Sequence, residues 1–106
     1  MAVVRVNDQT FKEAVGQNGQ VIIKFFADWC GSCKLISPKY KRLSEDERFS
    51  NVMFLEINAE ENPEARRWAG VTNLPYFAAL KGGQVVEADS FGKEEKIIDL
   101  LMKIQS

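Results

Sequence analysis

Residues 21–34 read Val-Ile-Ile-Lys-Phe-Phe-Ala-Asp-Trp-Cys-Gly-Ser-Cys-Lys and carry the strongest structural signal in the chain. Their first seven residues form a nearly continuous apolar run, which is typical of a central strand covered on both faces. Cys30 and Cys33 follow this run, and apolar residues then recur at helical spacing from position 36 to position 43. The stretch therefore predicts a buried strand, a Cys-x-x-Cys at its carboxyl end, and a helix.

Strand-like and helix-like segments alternate through the rest of the chain. Further strands are predicted at residues 3–6, 51–58, 76–80 and 84–88. Helices are predicted around Phe11, around Trp68 and around Leu101. The order βαβαβαββα predicts an α/β fold in which helices cover both faces of a five-stranded mixed sheet.

Turn and capping residues mark the boundaries of these elements. Either Asn7 or Asp8 can cap the first helix, and Asn62 followed by Pro63 is a good start for the third. Lys81-Gly82-Gly83 separates the last two strands and predicts a β-hairpin turn.

Length and charge limit the possible classes of protein. The 106 residues contain no internal repeat, low-complexity tract or linker, which predicts one domain over residues 1–106. With 14 Lys+Arg against 15 Asp+Glu, the net charge of −1 argues against a nucleic-acid interface. No apolar run approaches the roughly 18 residues of a membrane-spanning helix. No secretory signal is visible, so we expect a cytoplasmic protein, and nothing in the sequence requires more than a monomer.

Histidine is absent, and the chain has only two cysteines. The lack of histidine excludes Ser-His-Asp and Cys-His catalysis and every histidine-ligated metal site. A structural zinc site usually takes four ligands, which one cysteine pair does not supply, so no metal is expected. A lone Cys-x-x-Cys in a chain without a secretory signal indicates redox chemistry first.

The position of Cys30 between a strand and a helix predicts an activated thiol. Backbone N–H groups and the positive end of the helix stabilise a thiolate there and lower the thiol pKa below its free value of about 8.5. Cys33 lies about one helical turn further on, within bridging distance, so the pair can cycle between dithiol and disulfide. We expect the Cys30 thiolate to attack a substrate disulfide and Cys33 to resolve the mixed disulfide.

Several segments around and beyond the cysteines match the pattern of one known family. They are Ala27-Asp28-Trp29-Cys30-Gly31-Ser32-Cys33-Lys34, Pro38, Asn58 with Asn62-Pro63, Val71-Thr72-Asn73-Leu74-Pro75, and Lys81-Gly82-Gly83-Gln84-Val85. In these segments, and in length, the chain resembles the thioredoxin family. The resemblance implies the thioredoxin fold and protein-disulfide reductase activity on protein disulfide substrates. It also implies electrons from a flavin-containing, NADPH-fed thioredoxin reductase, and no bound cofactor.

The resemblance also implies roles for residues near the cysteines. It makes Cys30 the exposed nucleophile and Cys33 the buried resolving thiol. Leu74-Pro75 matches the cis-proline loop of the family, which offers its backbone to a substrate strand and keeps metals off the thiols. Trp29 would flank the site and partly shield Cys33, and a core aromatic is the compatible alternative.

Gly31-Ser32 departs from the Gly-Pro that is usual between the cysteines of the family. Ser32 restores an N–H, frees the φ angle that proline would fix, and adds a hydroxyl that could hydrogen-bond a thiolate. A stabilised thiolate stabilises the reduced form, so we expect a reduction potential somewhat more oxidising than is usual in the family. The alternative is that Ser32 is a neutral helix-start residue with little effect.

Lys24 stands where the family usually carries a buried aspartate that assists proton transfer at the resolving cysteine. Strand alternation presents Glu56 on the neighbouring strand, at a position where the family commonly has lysine. We therefore predict a Lys24–Glu56 pair under the active site, with Glu56 or a neutralised Lys24 moving the proton for Cys33. In the alternative, Lys24 extends to the rim and Glu56 is merely solvated.

Phe91 precedes Gly92 before the last helix, where the family tends to place a small aliphatic residue. This loop is expected to border the substrate groove, so Phe91 could alter the choice of partner. The alternative is that Phe91 is a hydrophobic plug under the last helix.

Two other functions fit the same fold. One is an oxidant or disulfide isomerase with a raised potential, which the missing export signal argues against because disulfides are made in oxidising compartments. The other is a thioredoxin-fold binding module without turnover, which the retention of both cysteines argues against.

Overall fold

The computed structural model describes residues 2–105, which form five strands and four helices. The strands are β1 (Val4–Arg5), β2 (Gln20–Phe26), β3 (Met53–Asn58), β4 (Tyr76–Lys81) and β5 (Gln84–Ser90). The helices are α1 (Phe11–Gln17), α2 (Gly31–Ser44), α3 (Pro63–Ala69) and α4 (Glu94–Gln105). Their order is the predicted βαβαβαββα, and a short 3₁₀ helix at Glu47–Phe49 is added to it.

The five strands form one mixed sheet in the order β1-β3-β2-β4-β5. Both β1 and β2 pair with β3 in parallel, whereas β4 is antiparallel to β2 and β5 is antiparallel to β4. Parallel neighbours need long crossovers, which the helices provide, and antiparallel neighbours can be joined by a tight turn. The predicted α/β fold with a mixed central sheet is confirmed, and β2 is its central strand.

The β4–β5 turn is a two-residue hairpin. Lys81 pairs with Gln84 across the ladder, and Gly82 and Gly83 between them have φ angles of +61° and +82°. Two successive positive φ angles are the requirement of a type I′ turn, which glycine meets without steric cost. The predicted hairpin is therefore confirmed.

Alternate residues of β2 contact different helices on the two faces of the sheet. Ile23 belongs to a buried cluster with Phe11 of α1 and Ala65 of α3. Ile22 belongs to a second cluster with Ile36 of α2 and the apolar face of α4. Helices thus cover both faces, as predicted. Within residues 2–105, none of them combines the length and apolar character needed to cross a membrane.

The strand register places three charged residues in one row across the sheet. Arg5 pairs with Glu56 between β1 and β3, and Lys24 pairs with Glu56 between β2 and β3. Residues paired in register point to the same face of a sheet, and Lys24 shares its face with Ile22. The row therefore lies on the face that α2 covers.

Asp8 caps a different helix from the one predicted. α1 begins at Phe11, after a residue whose side chain makes no capping hydrogen bond. The Asp8 carboxylate accepts the N–H groups of Ala65 at 2.8 Å and Glu64 at 3.2 Å, at the start of α3. The expected cap of α3, Asn62, instead accepts the Asp8 N–H at 2.8 Å. The predicted start of α3 at Asn62-Pro63 is confirmed, and Asn7 Oδ1 accepts the Gln9 N–H at 2.9 Å in the turn that leads into α1. Only the side-chain caps expected from Asp8 on α1 and from Asn62 on α3 are wrong, because the cap of α3 comes from a residue far away in sequence.

Candidate active site

Cys30 and Cys33 form a disulfide where β2 leads into α2. Their Cα atoms are 5.3 Å apart, since the two residues stand one helical turn apart. Cys30 is the N-cap residue of α2, and its Sγ accepts the Cys33 N–H at 3.1 Å. A backbone donor at a helix N-terminus stabilises negative charge on sulfur once the disulfide is opened.

Both cysteines are buried in this disulfide form. Cys30 is 3% exposed and Cys33 is 2% exposed. Phe26, Ala27 and Leu74 pack against them. The expectation of an exposed Cys30 is therefore wrong for the disulfide form, because apolar residues from the end of β2 and from the loop before β4 pack against the two cysteines.

Ser32 places a hydroxyl beside the first sulfur. Ser32 Oγ lies 3.5 Å from Cys30 Sγ, within hydrogen-bonding reach of sulfur, and both Gly31 and Ser32 are exposed. The hydroxyl can rotate to donate to a thiolate, and a hydrogen bond to a charged acceptor is stronger than one to a neutral acceptor. This geometry favours the first of the two interpretations of Ser32.

The loop before β4 runs beside the disulfide. Its Leu74–Pro75 peptide bond is cis, as the resemblance implies. Leu74 packs on the cysteine cluster, and Pro75 is buried. The Ser90 hydroxyl donates to the Pro75 carbonyl oxygen at 2.9 Å, which ties this loop to the end of β5.

Trp29, directly before Cys30, is 69% exposed. Its indole N–H donates to Glu60 Oε1 at 3.1 Å, and Glu60 also pairs with Arg66 at 3.4 Å. The core-aromatic alternative for Trp29 is therefore wrong. The ring is held at the surface, next in sequence to the disulfide.

Lys24 and Glu56 come together on the face that α2 covers. Lys24 is 2% exposed, and its Nζ lies 3.6 Å from Glu56 Oε1. The same Nζ donates to Ser37 Oγ at 2.6 Å, and that hydroxyl donates to the Cys33 carbonyl oxygen at 2.8 Å. The Arg5 guanidinium holds the other carboxylate oxygen, Oε2, at 2.6 Å. The interpretation in which Lys24 extends to the rim is wrong.

Burial has opposite consequences for the two titratable groups that meet here. The pKa of Lys24 is lowered, mainly because burial disfavours the ammonium, although Glu56 opposes the shift and Arg5 adds to it. Burial raises the pKa of Tyr40 well above its ordinary value, and its ring centroid lies 5.2 Å from Lys24 Nζ. Burial therefore favours the neutral form of both groups, the phenol of Tyr40 and the amine of Lys24.

A groove of about 360 Å³ connects these groups. The residues that line it include Arg5, Lys24, Cys33, Lys34, Ser37 and Glu56. The groove brings solvent to the buried cysteine and to the charged row from the same side.

Comparison with known proteins agrees with this geometry. The family model described as thioredoxin matches residues 2–104. The chain belongs to the thioredoxin family. It is a thiol-disulfide oxidoreductase, and the Cys30–Cys33 disulfide is its redox-active pair.

Individual thioredoxins are similar over nearly the whole chain. The chain is 35% identical to thioredoxin of Bacillus subtilis, over 97% of this chain and 98% of that one. It is 37% identical to thioredoxin of Equus caballus, over 82% of this chain and 83% of the horse protein. The crystal structure of the short form of thioredoxin f from spinach chloroplast superposes with a TM-score of 0.92 at 30% identity, covering 99% of this chain and 95% of that one.

In this thioredoxin, Phe91 packs under the last helix. Its ring stacks on Phe77 with centroids 4.8 Å apart, and it packs on the cluster under α4. It also lines a groove between β5 and α4, away from Cys33, whereas the neighbouring Gly92 is exposed. The hydrophobic-plug interpretation of Phe91 fits these contacts.

Two residues of the site, Arg5 and Ser37, were not singled out in the sequence analysis. Arg5 lies on a two-residue edge strand, so its register with Glu56 could not be read locally. Ser37 lies four residues after Cys33, the spacing at which a helical serine hydroxyl reaches back to a carbonyl, and this spacing was an available signal. Within residues 2–105, no group of three metal-binding side chains comes together.

Proposed function

We propose that this chain reduces protein disulfides, with Cys30-Gly31-Ser32-Cys33 as its active site. The observation that carries the proposal is the disulfide at the N-terminus of α2, where the Cys33 N–H points at Cys30 Sγ. The donor and the helix end favour a thiolate at Cys30 over one at Cys33, which lies inside the first turn. Cys30 is therefore the nucleophile, and Cys33 is the resolving thiol.

The reaction has two exchange steps. The Cys30 thiolate attacks one sulfur of the substrate disulfide, forms a mixed disulfide, and releases the first substrate sulfur as a thiolate. Cys33, after losing its proton, attacks Cys30 Sγ, which forms the Cys30–Cys33 disulfide and releases the second substrate thiolate. The substrate gains two electrons, the cysteine pair loses two, and water protonates the products.

Lys24 and Glu56 serve the second step in this proposal. Cys33 must lose a proton in an apolar setting, and the groove beside it presents both groups. The short contact from Lys24 to Ser37, and from Ser37 to the Cys33 carbonyl, supports this assignment.

Protein substrates bind across Trp29 and the Leu74–Pro75 loop. Trp29 offers an exposed aromatic surface, and Leu74 packs against the two cysteines. The loop at Phe91–Gly92 forms the far border of this surface, connected to Pro75 through Ser90. Phe91 acts there mainly by packing, and Gly92 offers backbone.

A thioredoxin reductase returns electrons to the disulfide, as is general for the family, and the protein itself needs no bound cofactor or metal. A reductant works in a reducing compartment, so the proposed location is the cytoplasm, with a role in electron transport to proteins. We further propose a single domain over residues 1–106 that acts as a monomer, since one copy supplies every group of the site.

Two cysteine variants test the proposal. With a dithiol as electron donor and a disulfide-bonded protein as substrate, Cys30→Ser is expected to abolish reduction. Cys33→Ser is expected to stop turnover after one step and to accumulate a mixed disulfide with the substrate, detected by mass. A Cys33→Ser protein that turns over normally, or a mixed disulfide that accumulates in Cys30→Ser instead, would contradict the assigned roles. A binding module without turnover would bind its partner equally well as Cys30→Ser.

A further inference from the structure

The Glu56 carboxylate is shared between two cations, and the exposed one holds it more closely. Arg5 donates to Glu56 Oε2 from Nε at 2.9 Å and from Nη2 at 2.6 Å. Lys24 Nζ lies 3.6 Å from the other oxygen, Oε1. The Arg5 side chain is 65% exposed, whereas that of Lys24 is 3% exposed. The buried ammonium, which most needs a counter-charge, therefore has the weaker hold on the carboxylate.

The closest contact of Lys24 points toward Cys33 instead. Lys24 Nζ is 2.6 Å from Ser37 Oγ, and Ser37 Oγ is 2.8 Å from the Cys33 carbonyl oxygen. A serine that donates to a carbonyl must accept from its other neighbour, so the hydrogen-bond direction runs from Lys24 through Ser37 to the turn of Cys33. Ser37 thus ties the amine to the backbone of the resolving cysteine, and Lys24 and Cys33 line the same groove.

Several elements around Lys24 carry other polar or charged groups. The polar and titratable groups that face it or line a groove with it are Arg5 from β1, Glu56 from β3, Asp28 and Cys33 beside the shared groove, and Lys34, Ser37, Tyr40 and Lys41 from α2. Its register neighbour on β4 is the apolar Phe77. Two cations, Arg5 and Lys24, therefore contact a single carboxylate.

We propose that Arg5 is a positioning residue for the Cys33 step, because it draws the Glu56 carboxylate away from Lys24 and leaves Lys24, held by Ser37, as the group that serves Cys33. This inference rests on the proposed function and chooses between its two proton carriers. Arg5 acts mainly through the Glu56 carboxylate, to which it donates two hydrogen bonds, and its charge adds a smaller direct effect on Lys24. The direction of the Lys24 pKa agrees, since both burial and Arg5 lower it.

The Cys33 step consists of a proton transfer followed by a thiol–disulfide exchange. The Cys33 thiol gives its proton to the Lys24 amine, so an ammonium and a thiolate form together. The thiolate attacks Cys30 Sγ, the bond from Cys30 to the substrate sulfur breaks, and the substrate leaves as a thiolate. The ammonium then loses its proton to water through the groove.

The test measures the Cys33 step alone. Reduced protein is mixed with an excess of an aromatic disulfide whose thiol product is coloured. The first release of colour depends on reagent concentration and reports Cys30, whereas the second, concentration-independent release reports attack by Cys33. The first-order rate is measured against pH for the wild type, Arg5→Gln, Glu56→Gln and the double variant.

Arg5→Gln is expected to move the pH midpoint of this rate upward. Freed from Arg5, the Glu56 carboxylate stabilises the Lys24 ammonium and disfavours a nearby thiolate, and both effects require a higher pH for the same rate. In the Glu56→Gln background, Arg5→Gln is expected to give a clearly smaller upward shift, because only the direct effect of the Arg5 charge on Lys24 is then lost. Lys34→Gln is the matched control, since Lys34 lines the same groove but does not hold Glu56, and its shift should be the same in both backgrounds.

An equal shift from Arg5→Gln with and without Glu56, or no shift in either background, would overturn the inference. Lys24→Met separates this failure from failure of the proposed role of Lys24. If Lys24→Met alters the profile and Arg5→Gln does not, only the inference on Arg5 fails, whereas an unaltered Lys24→Met profile removes both. The Lys24 side chain can also be titrated by NMR in Arg5→Gln, which changes only an exposed side chain. The titration midpoint of Lys24 should lie higher in this variant than in the wild type.

Discussion

At the scale of single residues, Ser32 is the position where the active-site chemistry of this chain differs most plainly from the Gly-Pro usual in the thioredoxin family. Its hydroxyl lies 3.5 Å from Cys30 Sγ. Ser32→Ala removes a donor that is worth more to a thiolate than to a disulfide, so the reduction potential is expected to become about 10–30 mV more negative. Ser32→Thr, which keeps the hydroxyl, is the control. An unchanged potential in Ser32→Ala would mean that Ser32 is only a helix-start residue.

The charged row gives a second prediction at residue scale. Lys24→Asp places a buried carboxylate next to Glu56 and is expected to lower the free energy of unfolding by roughly 3–5 kcal/mol, as for a broken buried pair. Adding Glu56→Lys should restore only part of this stability, because the new lysine then faces Arg5, which donates to position 56 at 2.6 Å. A further Arg5→Glu should restore more. Denaturant unfolding measures all three, and a double variant no more stable than Lys24→Asp would contradict the pairing.

At the scale of secondary-structure elements, the start of α3 depends on a residue distant in sequence. Asp8 accepts two N–H groups there, at 2.8 and 3.2 Å. Asp8→Ala is expected to cost about 1 kcal/mol of stability by denaturant unfolding, the usual cost of losing an N-cap. Asp8→Asn keeps one acceptor oxygen and should retain most of this stability. A larger loss in Asn62→Ala, with Asp8→Ala silent, would assign the cap to Asn62 after all.

The elements themselves could largely be predicted, because their signals are local. The apolar run before Cys30 indicated β2, and glycines at 82 and 83 indicated the hairpin turn. Alternation along β2 and β3 placed Lys24 and Glu56 on facing positions, 3.6 Å apart in the structure. Arg5 could not be placed in the same way, since its pairing with Glu56 depends on which edge β1 occupies. The cap by Asp8 could not be predicted either, because Asp8 lies 56 and 57 residues before the two N–H groups that it accepts.

At the scale of the whole molecule, the fold brings parts of three strands, one helix and one loop together around the disulfide and the groove beside it. β1, β3 and β2 supply the charged row, α2 and its N-cap residue supply the two cysteines and Ser37, and the loop before β4 supplies Leu74. Burial of Cys30 in the disulfide form could not be predicted from the sequence, because it results from packing between Leu74 and the end of β2. The redox chemistry of the cysteine pair could be predicted from the spacing of the two residues, whereas their burial could not.

The reduction potential of the Cys30–Cys33 pair tests the central claim most directly. The pair is equilibrated against a thiol/disulfide buffer, and its redox state is read from the mass shift on alkylation. A protein-disulfide reductant with a hydroxyl near Cys30 should have a potential close to that of thioredoxin, about −270 mV, or a few tens of millivolts above it. A value at or above about −200 mV, in the range of disulfide-forming or isomerising proteins, would contradict the claim that this chain is a reductant.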